Sequence, residues 1–244
     1  MKLALLVSFL CLVQTPVTAL AAVNGELAAP VLESSLATRV VQIFIGVTVL
    51  SLAPGLAMMV TCLPFMLIVL SILRQGTGLQ QAPPNMLIVS VALFLTFYVM
   101  EPVFRDIWAE GVAPLTRGEI SETTAIQQSL APLKQFMMMR VSEEALFILH
   151  EAKASTEPLK LDDPDASLLI PSFVLCEIQR AFEVGFVILL PFLIIDLLVA
   201  SILMAMGMLM LPPAIVSLPF KIAFFVLSNA WVSVAGALVR GYTP

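Results

Sequence analysis

Residues able to do chemistry are scarce in this chain. Its 244 residues include one histidine, His150, and three cysteines, Cys11, Cys62 and Cys176. A zinc protease working inside a membrane needs two histidines on one helix face, as in H-E-x-x-H, and a lone His150 cannot supply them. A serine hydrolase needs a histidine beside its nucleophile, and His150 stands in an acidic stretch with no such context, as a surface residue would. No glycine-rich phosphate loop is present either. Neither an enzyme nor a bound metal or other cofactor is expected.

The chemistry that remains is ionic. The run FVLCEIQRAFEVGFVILLPFLIID (173–196) carries Glu177, Arg180, Glu183 and Asp196 among apolar residues. A charge at a bilayer centre costs roughly 2.5–3.5 kcal/mol on insertion scales, so such side chains face protein or water. The i, i+3, i+6 spacing of Glu177, Arg180 and Glu183 makes one slanting polar stripe on a helix. That stripe is a subunit–subunit salt bridge, a polar lining of an aqueous path, or ordinary helix surface outside lipid. Asp196 and Lys221 are single charges in apolar surroundings. Pairing between helices is one reading of them, and a proton relay is another.

The elements that position these groups follow from composition. The chain is 60% hydrophobic and only 12% charged, with mean hydropathy +1.03, which marks an integral membrane protein. A formal net charge of −5 argues against nucleic acid as a partner. Residues 1–21 have the layout of a cleavable signal peptide: Lys2, an apolar core, then Ala19-x-Ala21. Cys11 leaves with that signal. Cys62 and Cys176 both fall in apolar runs, where isolated cysteines serve as small hydrophobes.

Residues 22–39 then form a short N-terminal segment outside the cytoplasm. Residues 40–100 form a first apolar helical hairpin region, cut by Pro54-Gly55 and Pro64, with Arg74 alone in the link 74–84. Residues 101–167 hold 12 acidic and 6 basic residues, 18 of the chain's 29 charges. Ala125, Ile126, Leu130, Leu133 and Phe136 there recur at helical spacing, so this acidic part reads as a mostly helical soluble insertion. Its sign places it outside, because lysine and arginine excess marks the cytoplasmic side. Residues 168–244 form a second apolar helical region, with a break expected at Pro191 and a final helix after Pro212-Pro213. The fold class is all-α and membrane-associated, with proline-broken long helices and helical hairpins.

Near its end this region reads MAMGMLMLPP (204–213). Methionine has three side-chain torsions and a soft, polarizable surface, which suits a surface that must fit many shapes. Gly207 permits a turn, and Pro212-Pro213 stops the helix. Met137, Met138 and Met139 make a second methionine group inside the insertion, where helical periodicity buries at most one or two of them.

Two long stretches carry a family resemblance: VLSILRQGTGLQQAPPNMLIVSVALFLTFYVMEPVF (69–104) and LIPSFVLCEIQRAFEVGFVILLPFLIIDLLVASILMAMGMLMLPPAIVSLPFKIAFFVL (169–227). They resemble the FliP/SctR family, the export-gate subunits of flagellar and type III secretion systems, and the signal peptide favours the flagellar branch. The resemblance implies a ring of about five copies within a helical cone, joined by FliQ-type, FliR-type and FlhB-type subunits, that surrounds a pore for unfolded export substrates. It implies the bacterial inner (cytoplasmic) membrane and flagellar basal body as location, with much of the mature chain on the periplasmic side. It also implies a methionine gasket at the closed pore, here Met208, Leu209 and Met210, shaped by Gly207, Pro212 and Pro213. Leu209 departs from the family's usual three methionines. Phe65 stands where the family often has a basic residue, and Asn229-Ala230 replaces a frequent Asp-Gly before Trp231. The rival reading, an ion- or proton-coupled secondary transporter of a small solute, predicts internal symmetry between 40–100 and 173–239 that inspection does not show.

Overall fold

The computed structural model describes residues 29–79, 82–153, 161–208 and 210–242. The signal segment and Leu209 lie outside the described residues. Every regular element among those described is helical. The chain divides into two compact units, residues 1–53 and 54–244.

Helix α1 (Ala29–Val60) begins in the first unit. There the Thr48 hydroxyl donates back to the Phe44 carbonyl at 2.8 Å, and Ser51 to that of Thr48 at 2.7 Å. Such back-bonding satisfies a helix hydroxyl within its own helix.

In the second unit, α1 stops at Val60 and α2 (Leu63–Gly76) starts two residues later. The break falls at Thr61-Cys62 rather than at Pro54, because Pro64 occupies the first turn of α2. A first-turn proline has no N–H to lose there, whereas the same residue inside a helix removes a rung. Burial pushes the Cys62 thiol up to about 12, so it stays a protonated, inert core residue.

Helix α3 (Asn85–Ile107) crosses the boundary where the charges begin, and it passes through Pro102. A π-turn (Trp108–Val112) and the short α4 (Ala113–Thr116) follow, then α5 (Glu122–Met138) and α6 (Glu143–Ala152). Ser121 and Ser142 cap α5 and α6, each accepting from the backbone N–H three residues on, at 3.4 and 3.3 Å. The acidic part is thus built onto the end of an apolar helix. Within α5, Ala125, Pro132 and Met137 are buried, while Ile126 and Leu130 are exposed. The reason is the π-turn: a Cβ on Gly111 would come within 1.9 Å of the Ser129 hydroxyl, so α5 turns its small residues toward it.

Helix α7 (Ala166–Ala205) is 40 residues long and runs unbroken through Pro171 and Pro191. The break expected at Pro191 is not taken, since neighbouring packing holds the helix where one backbone bond is missing. The most extensive helix pair is α2 with α7. A Cβ on Gly185 would lie 2.3 Å from the Ile72 Cδ1, and one on Gly76 would lie 2.8 Å from the Phe192 ring. These two glycines let the backbones close on large partners. Around this contact sits the main core, including Met66, Val69, Leu70, Ala92 and Met100.

Helices α8 (Pro213–Leu227) and α9 (Ala230–Arg240) complete the chain. Asn229 joins them in the left-handed conformation, φ 48°, which asparagine adopts more readily than most residues. Of the described residues, 85–116 and 166–205 are long and apolar enough to cross a membrane. The pair α8–α9, bent by 57°, makes a third if counted as one.

Candidate functional site

Three clusters lie along α7 and order the sequence-identified residues. The first is near its start. Glu177 is fully buried and gathers partners from three parts of the chain. Arg140, in the turn after α5, donates from Nε to Glu177 Oε1 at 3.2 Å. Arg180, one turn along α7, reaches the same oxygen at 3.5 Å. Tyr242, beyond α9, donates its hydroxyl to Oε2. Arg140 also donates to the Gly241 carbonyl at 2.9 Å and stacks its guanidinium 3.9 Å from the Tyr242 ring centre.

An aromatic shell closes this knot. Phe65 meets the Tyr242 ring edge-on at 5.4 Å, and Phe136 stacks on it at 6.2 Å. Burial and the neighbouring Glu177 carboxylate push the Tyr242 phenol up, so it remains a neutral donor throughout the accessible pH range. The proposed stripe therefore divides. Glu177 points into its own subunit, Arg180 lies on the rim, and Glu183 is exposed and accepts from Gln179 at 3.1 Å. Phe65, at the position where the resemblance favours a basic residue, packs against the tyrosine instead.

The second cluster is about three-quarters of the way along α7. Lys221 of α8 is buried and donates to Asp196 Oδ2 at 2.6 Å. Ser217, one turn earlier on α8, donates to Oδ1, also at 2.6 Å. The two lone charges so neutralise each other across the α7–α8 contact.

The third cluster is the turn between those helices. Met206 caps α7, and Gly207 follows with φ 75°. The Met208 N–H returns to the Leu203 carbonyl and the Gly207 N–H to that of Met204, both at 3.0 Å. This is a glycine-terminated helix end, in which a left-handed residue lets the last carbonyls find donors. Met208 is 40% exposed and Met210 is 98% exposed. Pro212 precedes α8 and Pro213 opens it. Behind the turn lies an apolar cavity of about 400 Å3, walled by Leu198, Ile202, Met206, Met208 and Phe220 among others.

The other methionine group is less uniform. Met137 is buried, Met138 half-buried and Met139 exposed. Cys176 sits 3.6 Å from the Ser142 hydroxyl. No set of three or more histidine, cysteine or acidic side chains able to hold a metal occurs among the described residues.

Arg140 and Tyr242 escaped the sequence reading, being 37 and 65 positions from Glu177. A carboxylate inside an apolar run demands a cation, which is a usable signal. It does not say which of the chain's arginines answers.

These features define a class: an all-helical protein built around apolar helices able to cross a membrane, with a flexible methionine turn at one end of its longest helix. The FliP family profile matches residues 46–238, and the chain belongs to the FliP family. Similar proteins include the flagellar biosynthetic protein FliP of Rhizobium meliloti, 46% identical over 212 residues that cover 86% of each chain. That of Agrobacterium fabrum is 45% identical over 213 residues, 86% of this chain and 87% of the other. That of Bacillus subtilis is 39% identical over 202 residues, 83% of this chain and 91% of the other.

Proposed function

We propose that this protein is a core export-gate subunit of a flagellar type III secretion apparatus. Several copies join FliQ-type, FliR-type and FlhB-type subunits around a pore that passes unfolded flagellar proteins. The observation that carries the reading, alongside family membership, is the turn after α7. Met208 and Met210 are both exposed there, so two flexible apolar side chains stand open at one helix end for neighbouring copies or a passing chain to cover. No transporter name occurs among the relatives cited above.

A secretion pore must stay tight to ions and yet admit chains of any sequence. A rigid side chain fits one shape, whereas a thioether on three rotatable bonds closes on its neighbours or drapes around a passing polypeptide. Met208, Leu209 and Met210 act as this gasket. Gly207 and the two prolines hold it at one height, and the Asp196–Lys221 pair keeps α7 and α8 together behind it. The protein acts in the bacterial inner membrane at the flagellar basal body, with the acidic insertion on the periplasmic side. Residues 1–21 serve as a signal peptide there. Arg180 and Glu183 face neighbouring copies or a partner. No catalytic role is proposed.

The double variant Met208→Ala/Met210→Ala is expected to assemble normally and leak ions. Membrane conductance of cells expressing it, alongside the size of the extracted complex, checks both statements. Intact assembly without a leak removes the gasket assignment.

A further inference from the structure

Residues 74–79 read RQGTGL: a lone arginine and two glycines, each held by different contacts. Helix α2 ends here. The buried Thr77 donates its hydroxyl to the Arg74 carbonyl at 2.7 Å, and the Gly78 N–H donates to the Gln75 carbonyl at 3.1 Å. Gly78 has φ 77°, the left-handed conformation that closes a helix end. The Arg74 guanidinium reaches forward to the start of α3. It donates to the Pro83 carbonyl at 3.4 Å and to the side-chain oxygen of Asn85. The end of α2 is thereby tied to the first turn of α3.

Its other side meets both helices that flank the methionine turn. A Cβ on Gly76 would lie 2.8 Å from the Phe192 ring and 3.0 Å from the Leu189 Cδ2, both on α7. A Cβ on Gly78 would lie 3.2 Å from the Leu218 Cδ1 and 4.0 Å from the Lys221 Nζ, both on α8. At Gly76 a side chain cannot enter without moving α7. At Gly78 it would press on the helix that carries the partner of Asp196.

Beyond this contact the hairpin of α7 and α8 leans on itself. Leu197, Ile202, Met204, Met206 and Ile215 are exposed. The residues lining the cavity of about 400 Å3 behind the turn all belong to α7, α8 and the turn. Ten residues of α7 separate Asp196 from Met206, which is about 15 Å at 1.5 Å per residue. A tilt of the hairpin against the end of α2 is carried to the methionine turn over that length, because a packed helix pair moves as a unit.

We propose that the end of α2 sets the position at which the methionine turn closes. Gly76 and Gly78 are positioning residues for the seal, one against each helix of the hairpin, and Arg74 holds them against α3. The inference rests on the gasket reading of the turn and adds to it the part of the fold that places the gasket.

The test is membrane conductance of cells expressing each variant in the full chain, with assembly read by native mass of the extracted complex. Gly76→Val is expected to raise conductance about tenfold, the shift in balance that overpacking of a close contact produces. Phe192→Ala in the same chain should restore the seal by making room. Gly78→Asn tests the α8 side, since asparagine accepts the left-handed backbone and adds only bulk. It too should leak, and Leu218→Ala should reseal it. Arg74→Ala should leak while Arg74→Lys, which keeps a donor, stays tight. Gly185→Val overpacks the same α2–α7 pair against Ile72, away from the end of α2, and should lose stability without leaking. A leak from Gly185→Val equal to that of Gly76→Val would mean general loosening and overturns the proposal. Assembled, tight Gly76→Val and Gly78→Asn complexes overturn it as well. In that case a leak from Met208→Ala/Met210→Ala leaves the gasket reading standing, and no leak removes both. Where Gly76→Val fails to assemble, the milder Gly78→Asn and Arg74→Ala decide by the same readout.

Discussion

The two ends of α7 are stabilised by opposite means. Around Glu177 both carboxylate oxygens have partners, drawn from the turn after α5, from α7 itself and from the segment beyond α9. Around Met210 the turn is fixed by backbone bonds of the helix end, while the side chain is left open. About 40 Å of helix separates them, at 1.5 Å per residue. One helix thus joins a region that must hold a single arrangement to a region that works by having many. A buried carboxylate serves the first need because its geometry admits few alternatives. Unbranched apolar side chains serve the second because theirs admits many.

Breaking the tight end should have the largest effect. Glu177→Ala leaves the half-buried Arg140 without its counter-charge, and loss of one partner of a buried pair costs up to about 3–5 kcal/mol. Thermal unfolding of the extracted complex, followed by tryptophan fluorescence, should show a large drop in midpoint. Replacing Arg140 and Glu177 together by methionine should recover much of it; no recovery would mean that the ionic knot is not what holds this end. Next comes Tyr242→Phe, which keeps the ring stack and removes one donor to a charge, for a loss of about 1.5–3 kcal/mol. That loss should be the same at pH 6 and pH 9, because the phenol is held well above its ordinary range. A comparable figure, about 1–3 kcal/mol, is expected for Gly185→Val, where the added methyls overpack Ile72. Ile72→Ala in that background should relieve the strain. Smallest is the soft end: Met210→Ala should change stability by less than about 0.5 kcal/mol, as exposed positions do. Its effect belongs to the conductance assay alone. A Met210 variant that unfolds the complex would erase the contrast between the two ends.

The legibility of these two ends in sequence was unequal as well. The methionine turn is local: Met208, Gly207 and Pro212-Pro213 lie within six positions, and their backbone preferences alone predict a helix end and a turn. The ionic knot is non-local. Glu177, Arg180 and Glu183 look equivalent as a periodic stripe, yet only Glu177 is turned inward, because Arg140 and Tyr242 meet it there. Prolines behaved in the same divided way. Pro64 and Pro213 sit in first turns, where their chemistry agrees with the backbone. Pro191 sits mid-helix, where packing by neighbours overrides the missing bond. Ile126 and Leu130 of α5 illustrate the remaining limit, since their exposure depends on the approach of Gly111 from another segment.

Helical class, apolar blocks, the acidic stretch and the methionine turn follow from sequence, because each is set by composition or by neighbours within a turn or two. The sequence alone also marks Glu177, Asp196 and Lys221 as charges in apolar surroundings that must face protein or water. Which partners they take was decided only by tertiary structure: Asp196 with Lys221 and Ser217, Glu177 with Arg140, Arg180 and Tyr242. A pairing between residues tens of positions apart depends on how helices cross, and crossing is set by the close approaches at Gly76, Gly111 and Gly185. Those contacts exist only once the chain has packed.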